Sequence, residues 1–249
     1  MENKVAFITG GCTGIGKAIA CEFAKQGYDI AVSYHSSETC PDEIKELGRK
    51  VIAIKADISD YSQINNMFDE FKKIFDRLDV FINNAGITKT APFLDTSEEM
   101  FDTVNDVDFK GAYFCMQNAA KFMVDKNIKG NIILISSNNA YAHYANVSVY
   151  GAVKAAVTKL AEHMAIELAK YGIRVNTIAP GWTDTKAERL GNPEDTYYKI
   201  PLKKWATPKE IADNAIFLCS SSASSITGAT IVVDNGALLV SDVREKYGF

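Results

Sequence analysis

Tyr150 and Lys154 stand four residues apart in the small-residue stretch Tyr150-Gly-Ala-Val-Lys154-Ala-Ala, and Ser137 lies thirteen positions upstream at the end of an apolar run. A phenol, an ammonium and a hydroxyl suit the proton half of a hydride transfer, in which an alcohol loses, or a carbonyl gains, a proton at oxygen. On a helix, positions i and i+4 share a face with Cβ atoms about 5–6 Å apart, so the ammonium approaches the phenol. Its positive charge favours phenolate. An unperturbed tyrosine titrates near pH ~10, so proton transfer near neutrality asks for a drop of roughly 3 units, or ~4 kcal/mol. The Ser137 hydroxyl then holds the substrate oxygen. A Tyr-x-x-x-Lys pair arises by chance about once in a chain of this composition, so its weight depends on what surrounds it.

Apolar runs of strand length recur at Val5–Ile8, Asp29–Ser33, Val51–Lys55, Val80–Asn83, Asn131–Ser136, Arg174–Ala179 and Thr230–Val233. Between them, Gly14–Gln26, Tyr61–Phe75, Glu98–Lys126, Tyr150–Lys170 and Pro208–Cys219 carry apolar positions at helical period. Strands alternating with helices over the whole length predict an α/β fold, a doubly wound parallel sheet of about seven strands covered on both faces. The 249 residues, 47% of them hydrophobic, are expected to form one domain. The least regular stretch, 182–205, follows a strand's carboxyl end, where such sheets bind ligands, and is expected to be a substrate loop.

The formal net charge of -4 argues against a nucleic-acid surface. Cys12, Cys21, Cys40, Cys115 and Cys219 are odd in number and lack metal-pair spacing, and His35, His143 and His163 form no ligand cluster. No metal is expected, and reduced thiols fit a cytoplasmic protein. The chain runs from Met-Glu-Asn-Lys into a short strand with no secretory pattern, and no run reaches membrane-spanning length, so no membrane partner is expected.

The first strand is followed by Thr9-Gly10-Gly11-Cys12-Thr13-Gly14-Ile15-Gly16-Lys17 and then a helix pattern. Glycines permit a tight turn, and a helix N-terminus offers unpaired N–H groups to a pyrophosphate. The spacing differs from G-x-G-x-x-G. It resembles the Thr-Gly-x-x-x-Gly-Ile-Gly pattern of the short-chain dehydrogenase/reductase family. Further matches follow in order: Asn83-Asn84-Ala85-Gly86, then Ser137 with Tyr150 and Lys154, Pro180-Gly181, and Ile226-Thr227-Gly228 leading to Val233-Asp234-Asn235-Gly236.

The resemblance implies a Rossmann-type NAD(P)-dependent oxidoreductase with Tyr150 as acid or base, Lys154 lowering its pKa and Ser137 orienting the substrate oxygen. It implies a cofactor site of Gly10, Cys12, Thr13, Gly14, Ile15 and Gly16 at the pyrophosphate, with Tyr34, His35 and Ser36 at the ribose. Asp57 and Ile58 would line the adenine; Asn84, Ala85, Gly86, Tyr150 and Lys154 the nicotinamide ribose side; and Pro180, Gly181, Thr183 and Thr185 the carboxamide side. Where the family commonly has Asn-x-x-Gly in a distorted helix, this chain has Asp108-Phe109-Lys110-Gly111, so Asp108 joins the catalytic set as a carboxylate near Lys154. Its presence is expected to offset the lysine's effect on Tyr150 unless it is solvated or paired.

NAD sites usually place a carboxylate at the end of the second strand. That position is Tyr34, followed by His35, Ser36 and Ser37, with Glu38 four residues too late. NADP(H) is therefore expected over NAD(H). The stretch between Ser37 and Leu47 is about one helical turn shorter than family members usually have, with Pro41 where a helix would begin. Tyr144 and Trp182, with Tyr141, His143, Tyr197 and Tyr198 nearby, are candidates for contact with a small-molecule substrate such as a sugar, steroid or other ring. An alternative is a 3-oxoacyl-carrier-protein reductase, but Ile128 and Tyr171 stand where carrier docking uses basic residues. A catalytically silent cofactor-binding protein is a further alternative, against which the intact trio weighs. By analogy the family pairs its long helices, here 98–126 and 150–170, in homotetramers or homodimers, with 230–249 as another contact.

Overall fold

The computed structural model describes residues 3–36, 42–185 and 193–240. Seven strands form one parallel sheet in the order β3-β2-β1-β4-β5-β6-β7. They are β1 (Val5–Ile8), β2 (Asp29–Tyr34), β3 (Val51–Lys55), β4 (Val80–Asn83), β5 (Asn131–Ile135), β6 (Arg174–Pro180) and β7 (Thr230–Val233). The order reverses between β1 and β4, and the crevice at their carboxyl ends is where this topology leaves room for a ligand. β1, β4 and the inner part of β2 are buried on both faces, hence their unbroken apolar runs.

One face carries α3 (Tyr61–Ile74), α5 (Ala112–Asp125) and α6 (Ser148–Leu168) over Phe7, Phe81, Ile132 and Val175; the other carries α1 (Gly14–Lys25) and α7 (Pro208–Cys219) over Ile8, Val32, Ile82 and Ile178. In α3, Ile64, Met67, Phe68 and Phe71 recur at helical spacing and are fully buried, and the Asp60 carboxylate accepts the Ser62 N–H at 2.8 Å to cap its start. Phe71 stacks on Phe7 at 5.1 Å, joining helix to sheet. α7 opens with a reciprocal cap between Thr207 and Glu210 and with Pro208 in its first turn.

Most expected elements are present within a residue or two at their ends. The principal difference is in 98–126, expected as one helix. It is α4 (Glu98–Asn105), then a π-helical turn over Asp106–Gly111, then α5. Gly111 explains where the distortion sits: a Cβ there would collide with the Ile58 carbonyl, so only glycine lets the helix approach the end of β3 so closely. α6 begins at Ser148, ahead of the catalytic pair, and gives way to a 3-10 turn at Ala169–Tyr171. A short α2 (Asp42–Glu46) follows β2, while Ser37, Glu38, Cys40 and Pro41 lie outside the described residues, as do 241–249 of the expected C-terminal contact. No described helix is long and apolar enough to cross a membrane.

Candidate active site

β5 ends at Ile135 and passes Ser136 and Ser137, both buried, into a 3-10 turn at Asn138–Ala140. Ser137 Oγ accepts the Asn139 backbone N–H at 3.2 Å and the Asn139 side-chain amide at 3.3 Å. Both acceptor directions are then used, and the hydroxyl's own proton is what it offers to the cavity. Ser136 and Thr158 lock α6 to the strand end: their hydroxyls share a hydrogen bond at 2.7 Å and lie 3.1 and 2.7 Å from the Lys154 carbonyl, which accepts from the hydroxyl whose proton is not spent on the other.

On that helix Tyr150 is half-buried, and Lys154, only 6% exposed, holds Nζ 5.4 Å from the Tyr150 ring centre. The π-helical turn brings in Asp108, 1% exposed. Its Oδ1 accepts the Ile87 N–H at 2.8 Å, and its Oδ2 forms an ion pair with Lys154 Nζ at 3.0 Å. Asp108 is thus neither solvated nor paired away from the site: its partner is Lys154 itself, so its charge stays beside the catalytic lysine. Burial alone would push the Lys154 ammonium down, but the Asp108 carboxylate and the Tyr150 phenol outweigh it and hold its pKa above the ordinary lysine value.

Ser137, Tyr150, Lys154 and Asp108 line one cavity of about 550 Å³, together with Pro180, Gly181, Trp182, Thr183 and Tyr144. Tyr144 meets Trp182 edge-on at 5.2 Å. A second cavity of about 1140 Å³ is lined by Gly10, Cys12, Thr13, Gly14, Ile15, Tyr34, His35, Ser36, Asp57, Ile58 and Ala85. Ile15, Asn84, Gly86, Ile87 and Thr185 border both, so the two form one groove. Gly10 and Gly14 take φ of +63° and +53°, a conformation that favours glycine, and turn the chain into α1. Thr13 precedes that helix without a side-chain cap, which leaves the first-turn N–H groups to the groove.

Gly16 lines neither cavity. A Cβ on it would collide with the Gly10 carbonyl and the Asn84 amide, so it serves the close packing of the turn. Asn84 is largely spent on the same turn, its amide donating to the carbonyls of Thr9 at 2.9 Å and Gly10 at 3.2 Å. Tyr141, His143 and Tyr197 also line neither cavity, whereas Tyr198 does.

Comparison with known proteins agrees with this geometry. A family model described as enoyl-(acyl carrier protein) reductase matches residues 10–237. An L-rhamnose 1-dehydrogenase (NAD(P)(+)) of Sphingomonas is 35% identical over 245 residues, covering 95% of this chain and 96% of that protein. The chain belongs to the short-chain dehydrogenase/reductase family. It is an NAD(P)-dependent oxidoreductase acting on CH–OH groups. Glucose 1-dehydrogenase 2 of Bacillus subtilis is 36% identical, with 96% of each chain covered. The crystal structure of acetoin dehydrogenase from Enterobacter cloacae superposes with a TM-score of 0.87 at 36% identity, over 97% of this chain and 99% of that one.

For a short-chain dehydrogenase/reductase the groove fits a dinucleotide on its own terms: uncapped helix donors and a glycine turn at one end, a buried ammonium at the other. Two of its residues, Asn139 and Lys199, escaped the sequence reading, and Thr9, quoted there only as the start of the glycine motif, supports the groove from below. Thr9 is fully buried, and its hydroxyl accepts the N–H groups of Asn84 and Ala85 at 2.9 and 3.0 Å, tying β1 to the end of β4. Asn139 orients Ser137, and Lys199, 8% exposed, brings a cation to the cavity beside the Tyr144 ring at 5.8 Å. Thr9 is the threonine of the glycine motif and Asn139 stands two positions after Ser137, which was the available signal; nothing in the sequence singled out Lys199.

Proposed function

We propose that this enzyme is an NADP(H)-preferring dehydrogenase that interconverts a ring-sugar alcohol and its carbonyl form, with Tyr150 as acid and base. The observation that carries the reading is the convergence of Ser137, Tyr150 and Lys154 on one cavity continuous with the dinucleotide groove. In oxidation Ser137 donates its free proton to the substrate oxygen and fixes it, and Tyr150 removes the hydroxyl proton. Lys154 keeps positive charge beside the phenol and anchors the ribose side of the cofactor. A bound nicotinamide would take up or supply the hydride.

A polyhydroxylated ring suits the walls better than a steroid. Tyr144, Trp182 and Trp205 offer faces for stacking, and Asn138, Asn139, Thr196 and Lys199 set polar groups among them. The similarity to rhamnose and glucose dehydrogenases points the same way. For the cofactor, Tyr34 replaces the carboxylate that would repel a 2′-phosphate, and His35 and Ser36 are exposed beside it. Asp57, 3.7 Å from His35, is already held by the Ser59 N–H and hydroxyl at 2.9 and 2.8 Å.

Residues 1–249 act in this reading as one catalytic domain with a substrate loop at 182–205, of which 186–192 lie outside the described residues. A cytoplasmic setting fits cysteines that are odd in number, scattered through the sequence and without metal-pair spacing. Assembly as a homodimer or homotetramer fits exposed apolar residues on the long helices, Phe101, Tyr113 and Ile166. The test is turnover of L-rhamnose, D-glucose, acetoin, a hydroxysteroid and a 3-oxoacyl thioester with each cofactor. We expect the highest kcat/KM with an aldose and NADP+, and none from Tyr150→Phe, which still binds NADP+. Turnover by Tyr150→Phe, or a clear preference for NAD+, defeats the corresponding part.

A further inference from the structure

We propose that Asp108 is a positioning residue that pins the Lys154 ammonium inside the site while cancelling part of its charge at Tyr150, so that this carboxylate sets the pH range in which the enzyme works. The inference rests on Tyr150 as acid and base and goes beyond it. It starts from the 3.0 Å separation of Asp108 Oδ2 and Lys154 Nζ, with the two side chains 0% and 8% exposed. Away from solvent, charges at this range act strongly on their neighbours.

The pair is built into the fold. Ile87 holds Oδ1 through its N–H at 2.8 Å, and the π-helical turn, fixed by Gly111 against the Ile58 carbonyl, aims Asp108 inward. Gly86 leaves the necessary space: a Cβ there would lie 3.0 Å from Asp108 Oδ2 and 3.2 Å from Lys154 Nζ. The ionisable groups acting on Lys154 are Asp108 from the π-helical turn and Tyr150 from its own helix. β5 and the turn after it present the uncharged Ser136, Ser137, Asn138 and Asn139. Glu98, Glu99, Asp102 and Asp106 of the preceding helix and turn border the adjoining cavity, the first three of them exposed to solvent and Asp106 paired with Lys110. With a neutral side chain at 108, Tyr150 would ionise beside an uncompensated cation. With Asp108 it ionises beside a pair of zero net charge. The other charged groups lining the cavity, Asp195 and Lys199 from the segment before α7, are left as they are by a change at 108.

The experiment replaces the carboxylate by its isostere, Asp108→Asn, which keeps an acceptor for the Ile87 N–H; Asp108→Ser is a second neutral variant should the first not fold. Tyrosinate absorbance is titrated in each background against the same background carrying Tyr150→Phe, which isolates Tyr150 without any substrate. The pH profile of kcat/KM for alcohol oxidation is recorded alongside. We expect the Tyr150 midpoint in the neutral variant to fall by about one pH unit or more, a tenfold change in proton affinity, with the kinetic midpoint following it. An unchanged midpoint reduces Asp108 to packing and overturns the proposal. A rise overturns it too, showing that Asp108 serves only to keep Lys154 charged. Full turnover by Tyr150→Phe would instead sink the acid–base assignment, a result distinct from either.

Discussion

Ser137 acts as a donor because Asn139 makes it one. A hydroxyl free to rotate would divide its proton among several acceptors, whereas two N–H groups on Oγ leave one use for the proton. Asn139→Ala keeps the backbone donor and removes the amide, a hydrogen bond worth about 0.5–1.5 kcal/mol. Expressed only as the substrate oxygen gains or loses charge, that is a fall of roughly 2- to 13-fold in kcat. NADP+ affinity should stay unchanged, since Asn139 borders the substrate cavity and not the dinucleotide one. A raised Kd for NADP+ with normal kcat would refute the assignment. At this scale the sequence was most legible where reactive groups sit at fixed spacing on one helix, as Tyr150 and Lys154 do. It was least legible where a side chain works by holding another. Asn139 is an ordinary residue in sequence and acquires its role from hydrogen bonds that only the folded turn creates.

The element that matters most is the break between α4 and α5. Periodicity reads 98–126 as one helix because a π-helical turn alters the phase by about one residue within a stretch whose apolar spacing continues on either side. Asp108 and Gly111 carried the signal, by their match to a family motif and not by pattern. The turn swings Asp108 toward Lys154, and Gly111 against the Ile58 carbonyl keeps it there. Gly111→Ala forces a methyl onto backbone that cannot yield easily, with the Asp106 carbonyl also 3.1 Å away. Overpacking of this kind costs about 1–3 kcal/mol. The expected result is a lower denaturant midpoint at unchanged m, with the pH profile displaced in the same direction as in Asp108→Asn as the carboxylate retreats. A variant as stable as the parent would mean that the turn is held by something other than this contact.

Across the whole molecule, strand and helix alternation gave the doubly wound plan directly, but the order β3-β2-β1-β4-β5-β6-β7 emerges only in the folded structure, since periodicity carries no information on which strands are neighbours. The order explains why the cofactor groove couples the two halves of the fold. Its lining comes from the ends of β1, β2 and β3 on one side, from the segment after β4 near its centre, and from Thr185 beyond β6 on the other. A ligand there binds only when both halves are in place, so it stabilises the native state by mass action. At 100 times its Kd the gain is about 2.7 kcal/mol, and for a chain of this size each kcal/mol moves Tm by roughly 2–4 °C. NADP+ at that level should therefore raise Tm by about 5–11 °C. At equal concentrations the rise should be larger with NADP+ than with NAD+, because Tyr34 supplies no carboxylate to hold the free 2′-hydroxyl while His35 and Ser36 are open to a phosphate. A larger rise with NAD+ would place the ribose against a carboxylate after all, and Asp57 would be the first to replace.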